Sequence, residues 1–196
     1  MCSISVETKS IVRIQSYYKP YELNVEASIL EAARATSAAT TFFDPVQVGG
    51  CKYADGALGA NNPVEEVEGE ASDIWCNDTG DLKPLVKCFI SIGTGNPGMR
   101  PMERNAIKFL SRSLVRIVTE TEATEKRFMA SWRQHFDEKR YFRFNVDQGL
   151  QDVRLEEYKQ KSLIQKDTEA YFNHQAVKIQ TRDCVENLRL KQGMCI

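Results

Sequence analysis

Nothing in this sequence approaches the run of about 20 apolar residues that a membrane-spanning helix requires, so no such helix is expected. Charge of neither sign is in excess. Lys and Arg number 26 against 27 Asp and Glu, and the net charge of -1 argues against a nucleic-acid polyanion as the main partner. The opening residues, Met1 to Lys9, lack a basic stretch followed by an apolar core, so no cleaved secretory leader is expected. Histidine is scarce, with two in the chain. The six cysteines, Cys2, Cys51, Cys76, Cys88, Cys184 and Cys195, contain no C-x-x-C pair. No metal and no disulfide framework is expected, and reduced thiols are the reading. Internal repeats and low-complexity linkers are also missing.

What remains is an ordinary soluble composition, 42% apolar and 27% charged, in a length that suits one sizeable core with a small appendage. Ile11 to Tyr18 alternates as a strand and Lys19-Pro20 ends it. Asn24 is placed to cap a helix through Ala27 to Ala39, rich in small residues. Phe42-Phe43-Asp44-Pro45 reads as an aromatic anchor and a turn. Gly49-Gly50 then turns the chain into Cys51 to Ala54, a short strand that delivers Asp55. Pro63 opens a helix with Glu65, Glu66 and Glu68 in its early turns, ending before Asn77. Leu85 to Ile92 is a nearly continuous apolar run, the pattern of a strand covered on both faces. From Arg104 to His135, Ile107, Leu110, Leu114, Ile117, Val118, Phe128 and Trp132 recur at helical spacing. Tyr141 to Val146 is a further strand, and after Gly149 a charged helical tail carries Leu155, Tyr158, Leu163, Ile164, Tyr171, Phe172, Val177, Ile179, Val185 and Leu188. Alternating strands and helices predict a three-layer α/β fold.

Chemistry concentrates at Tyr53 to Pro63. Asp55 stands in a turn whose glycines leave the backbone uncovered, which suits a carboxylate that must meet a partner. Taken alone, Asp55-Gly56 is also a common turn dipeptide. Gly93-Thr94-Gly95-Asn96-Pro97-Gly98 follows a strand and formally fits the dinucleotide fingerprint G-x-G-x-x-G. Pro97 interrupts its row of donors, and no second strand ending in an acid follows, so a strand-end turn is the better reading. His135 and His174 are isolated, which fits surface or satisfied core positions. Phe128, Trp132 and Phe136 fit a core, and Glu65 to Glu70 a solvated helix face.

Leu30 to Ala39 followed by Phe42-Phe43-Asp44-Pro45, then Asp55-Gly56-Ala57-Leu58 with Asn61-Asn62-Pro63, then Ser91 to Gly95, resembles in order and spacing the C-terminal half of patatin-like phospholipase domains. Residues 11 to 147 carry the resemblance, and Tyr141 to Val146 with Gly149 is similar to fungal and related members. The resemblance implies a lipid acyl hydrolase with a Ser-Asp dyad, acting on phospholipid or acylglycerol esters without metal or cofactor. Asp55 is then the general base, in the motif Asp55-Gly56-Ala57. The family's other parts are a G-x-S-x-G elbow and a glycine-rich oxyanion loop ahead of it. A patatin-like part over 1–147 and a helical extension over 148–196 are implied. The implied location is the cytoplasm, with lipid or a membrane surface as peripheral partner.

This sequence departs from that pattern where it matters most. No serine has glycine two residues before and two after, and no glycine occurs before Gly49. The expectation is a patatin-like fold incomplete at its N-terminus, with nucleophile and oxyanion loop in a segment preceding Met1. Smaller departures are Gln15, Leu30 and Thr40, where the family usually has arginine, tryptophan and proline. A second reading of another class stays open: a non-catalytic interaction or regulatory module of a larger multidomain protein. A third is a fragment with an unpaired sheet edge that does not fold stably.

Overall fold

The computed structural model describes residues 1–20, 22, 24–40, 42–96, 108–150, 153 and 157–190, with backbone alone described at 108–119 and 158. The chain forms two compact units, Met1–Ile74 with Arg104–Arg127, and Trp75–Glu103 with Phe128–Ile196. Both mix helices and strands, which is the α/β class that the sequence predicts.

In the first unit, strands β1 (Cys2–Ser5), β2 (Ile11–Arg13), β3 (Val46–Val48) and β4 (Cys51–Asp55) form an antiparallel sheet in the order β2-β1-β4-β3. Helix α1 (Ile29–Thr36) packs on it through Ala32 and Ala35. These side chains are small enough to let the helix backbone come close. Ser3, fully buried in β1, shows how close: its Oγ lies 2.6 Å from Ala54 O and 3.1 Å from Ala35 O, so its one proton serves a strand or a helix carbonyl. Val12, Ile14, Val46, Val48 and Tyr53 fill the rest of this core. The helix starts at Ser28, whose Oγ accepts from Glu31 N (3.3 Å) while Glu31 Oε2 accepts from Ser28 N (2.8 Å). Such a reciprocal cap is worth about 1 kcal/mol. Asn24, the cap that the sequence suggested, instead closes a turn on Lys19, accepting from its N–H (2.8 Å) and donating to its carbonyl (2.7 Å).

After β4 come the single turn α2 (Ala57–Ala60) and α3 (Val64–Trp75). The α3 carboxylates are not merely a solvated face. Arg13 reaches Glu70 at 3.0 Å, and Lys19 reaches Glu22 at 2.6 Å, Asp73 at 2.7 Å and Glu70 at 3.3 Å. The Tyr17 hydroxyl donates to Glu70. Helix α4 (Lys108–Ser131) contributes its residues up to Arg127 to this unit.

The second unit is built on a parallel pair, β5 (Phe89–Ile92) and β6 (Tyr141–Phe144), with Phe89 opposite Tyr141 and Ile92 opposite Phe144. Because side chains alternate, the pair has two distinct faces. On one, Phe89 and Tyr141 meet Phe128 and Trp132 with ring centroids 5.1 to 5.9 Å apart. Trp132 breaks the helical run before α5 (Arg133–Asp137). On the other face, Phe144 meets Phe172 of α6 (Lys161–Asn173), and α7 (Gln175–Arg189) lies along β6. A helix layer on each face of the pair gives this unit three layers.

Several sequence expectations are corrected. The strand at Ile11 ends at Arg13, with Ile14 still exchanging both backbone hydrogen bonds with Met1; further on, Tyr17 and Lys19 join the ion-pair network rather than a strand. Phe42 and Phe43 are exposed rather than anchored. The apolar run from Leu85 is extended only from Phe89, after a turn at 83–85, and Ile92 is 78% exposed rather than covered. Strand β6 ends at Phe144, two residues short of the expectation. Ile107, Leu155, Pro97 and Gly98 lie outside the described residues, as do the side chains of Leu110, Leu114, Ile117, Val118 and Tyr158.

The network on α3 predicts alkaline sensitivity. Burial first, and then the hydrogen bond to Glu70, pushes the Tyr17 hydroxyl from 10.0 up to about 12. Burial opposes the charge on Lys19, yet its bonds to Asp73, Glu22 and Glu70 prevail and raise its pKa. Both groups hold their protons more tightly folded than unfolded, so their contribution is complete below pH 10 and lost as pH rises through 12. Urea denaturation at pH 8 and pH 11 is expected to show lower stability at pH 11. Glu70→Gln is expected to cost about 1 kcal/mol at pH 8 and to shrink the difference between the two conditions.

Candidate active site

The turn that carries Asp55 is fixed from three sides. Asp55 ends β4 opposite Ser3 of β1, and its N–H donates to Ala38 O at 3.1 Å, just beyond α1. Gly56 N donates to Thr36 O (3.4 Å), and Thr36 Oγ1 donates to Cys2 O (2.5 Å). Strand β1 and the end of α1 therefore meet at Gly56. A Cβ there would stand 2.3 Å from Cys2 O and 2.8 Å from Cys2 C, both backbone atoms. Its φ of -62° is open to any residue, so the requirement for glycine is one of space. Gly59 repeats this more mildly, with Ile4 and Ile11 side chains 3.1 Å from where its Cβ would be.

The carboxylate itself is half-buried and held at one oxygen. Ala57 N donates to Asp55 Oδ1 at 2.7 Å. Oδ2 accepts no hydrogen bond among the described residues. One oxygen fixes the side chain's direction while the other is left to receive a proton, the division a general base needs. Beyond the turn, Asn61 Nδ2 donates to Thr121 Oγ1 of α4 (2.9 Å), and a shallow polar cleft opens between Ala57, Asn61, Asn62 and Thr124. The Asn62 carboxamide is buried with neither polar atom paired among the described residues.

Neither nucleophile type near Asp55 is usable. Ser3, its partner across the sheet, is fully buried with its hydroxyl committed to a carbonyl. Burial first, then the Glu66 carboxylate, raises the pKa of the Cys2 thiol, which therefore stays protonated at neutral pH. The structure thus brings Asp55, Gly56 and Ala57 together and, among the described residues, places no reactive hydroxyl or thiolate beside them. Sequence reading had missed β1, whose Cys2 carbonyl sets the space at Gly56.

The other candidates resolve differently. In the turn after β5, Gly95 N donates to Asn145 Oδ1 (2.8 Å) and Asn96 N to Val146 O (2.7 Å), so these two donors are spent within the protein. His135 is buried, with Nε2 donating to Lys83 O (2.8 Å) and its ring edge against Trp132. This is a satisfied core histidine. His174 joins α6 to α7. Among the described residues no three His, Cys, Asp or Glu side chains converge to hold a metal ion, and no helix is long and apolar enough to cross a membrane.

The Gly56 contact predicts a sharp positional effect. Gly56→Ala must displace backbone and is expected to cost about 3 kcal/mol or more. Gly50→Ala, where a Cβ meets nothing within 4 Å, is expected to be neutral. Chemical denaturation of the two variants checks the pair.

Comparison with known proteins bears on the same segment. Residues 3–67 match the family model described as patatin-like phospholipase. The chain is also 29% identical over 145 residues to Phospholipase A I of Arabidopsis thaliana, an alignment covering 72% of this chain and 10% of that protein. The chain thus spans about a tenth of the length of the curated relative it matches. Residues 3–67, which hold β1, α1 and the Asp55 turn, are thus the part of the chain that is similar to patatin-like phospholipases by family model, and the similarity to the plant phospholipase extends over 145 residues.

Proposed function

We propose that the chain supplies the aspartate half of a lipid acyl hydrolase that works by a Ser-Asp dyad. The observation that carries this is the Asp55 carboxylate, tied at Oδ1 by Ala57 N and with no partner at Oδ2 among the described residues, inside the family-matched segment. A serine supplied by a segment preceding residue 1 attacks the acyl carbonyl of a phospholipid or acylglycerol ester. Asp55 Oδ2 takes the hydroxyl proton and returns it to the leaving alcohol. Water, deprotonated by the same carboxylate, then releases the fatty acid. The mechanism calls on no metal or organic cofactor. Residues 1–147 form the C-terminal part of the hydrolase domain and 148–196 a helical extension. The partners are lipid at a cytoplasmic membrane surface and the other domains of a longer protein.

The absence of any G-x-S-x-G stretch favours a second reading, a non-catalytic module that regulates or docks a multidomain protein. The upstream reading frame separates the two: an elbow preceded by a glycine-rich loop supports the enzyme, and a frame lacking both supports the module.

The purified chain is expected to hydrolyse p-nitrophenyl butyrate no faster than buffer. The longer protein read from the upstream frame is expected to be active and to lose about 10³-fold or more in kcat with Asp55→Asn. Activity of the chain alone, or an Asp55→Asn variant of the longer protein at full rate, overturns the assignment.

A further inference from the structure

Two cysteines far apart in sequence are neighbours in the second unit. Phe89 N donates to Arg140 O (2.7 Å), and Phe89 stands opposite Tyr141, which sets Cys88 level with Arg140 at the entry of the parallel pair. By alternation Cys88 faces away from the Phe89, Tyr141, Trp132 cluster, toward the face that carries Phe142, Phe144 and the α6–α7 layer. Helix α7 runs back along β6: Gln180 Nε2 donates to Arg143 O (2.9 Å), and one end further on, Asn187 Nδ2 donates to Lys139 O (3.0 Å). Asp183 pairs with Lys139 Nζ at 2.7 Å. Cys184 lies between these fixed points and is buried, so the helix carries its thiol over the start of β6 and onto Cys88. The two thiols are close enough for each to shift the other's pKa, and Cys88 is half-buried, within reach of a small reagent.

We infer that Cys88 and Cys184 are a latent disulfide site, closed by low-molecular-weight disulfide oxidants and fastening α7 to the β5–β6 pair. The inference is independent of the Asp55 chemistry. The Cys88 thiolate attacks the disulfide of oxidised glutathione, forming a mixed disulfide and expelling one glutathione thiolate. The Cys184 thiolate then attacks the Cys88 sulfur and expels the second. The two protein thiols lose two protons and two electrons, and the oxidant takes up both electrons as it becomes two thiols. Closure brings the sulfurs to about 2.05 Å.

The same surroundings keep the site reduced at neutral pH. Burial, then the neighbouring Cys184, pushes the Cys88 thiol from 9.0 up to about 11. Among the described residues, Lys139 is paired with Asp183, and Arg140 is engaged by Glu138 (2.8 Å) and the Val86 carbonyl. Formation is therefore slow at pH 7 and accelerates about tenfold per pH unit up to pH 9, following the thiolate fraction.

The test is incubation of the folded chain with oxidised glutathione between pH 7 and pH 9, alkylation, and tryptic mass mapping without reductant. The expected product links the peptide starting at Cys88 to the one containing Cys184, disappears with dithiothreitol, and melts about 5 °C or more above the reduced chain. Cys88→Ser and Cys184→Ser are each expected to abolish the cross-link and the shift. Cys184 that remains alkylatable in the denatured, oxidised chain, a dominant link between other cysteines, or a rate independent of pH overturns the inference.

Discussion

A side chain at position 56 would place its Cβ 2.3 Å from the carbonyl oxygen of Cys2, and the candidate site depends on that exclusion. Because glycine alone fits, β1 can pair with β4 up to Asp55, and α1 can close on both through Ser3, Ala35 and Thr36. Backbone contacts of this kind fix direction better than side-chain packing does, since neither partner can rotate away. The Asp55 carboxylate inherits that rigidity through a single further bond, Ala57 N to Oδ1. What is rigid at one oxygen is open at the other.

How much of this was legible in the sequence varies with the physics involved. Asp55, Gly56 and Ala57 were, because a turn dipeptide at the end of a short strand is a local pattern. Strand β1 was not. Its buried positions are Ser3 and Ser5 while Cys2 and Ile4 are the less buried ones, so hydropathy alternates out of phase with burial. Hydroxyls sit inside because carbonyls of α1 and β4, and the neighbouring Glu7 and Thr8, are there to bond them. Those partners are distant or side-chain-specific, and no periodicity announces them. The cap of α1 went the same way: Asn24 and Ser28 are both good caps, and the choice fell to Ser28 because Glu31 completes its box while Asn24 is used by Lys19.

The second unit shows the reverse balance. Phe128, Trp132 and Phe136 were read as core from helical spacing; the first two stack with ring centroids 5.3 Å apart beneath Phe89 and Tyr141, whereas Phe136 is exposed. The adjacency of Cys88 and Cys184 had no sequence signal, since it depends on α7 returning antiparallel to β6 and on the parity of β5. Scattered cysteines read as unrelated thiols until the register is known. Burial, which raises the Cys88 pKa, keeps its thiolate fraction low and its oxidation slow at neutral pH.

The central claim is that Asp55 serves a serine that lies outside this chain. Labelling with a fluorophosphonate probe, which reacts covalently with activated serines, tests it directly. The account predicts no labelling of residues 1–196 alone, and labelling of the longer protein at a serine preceding residue 1, slowed by orders of magnitude in Asp55→Asn. A labelled serine within residues 1–196, or labelling of the longer protein at an unchanged rate in Asp55→Asn, would contradict it.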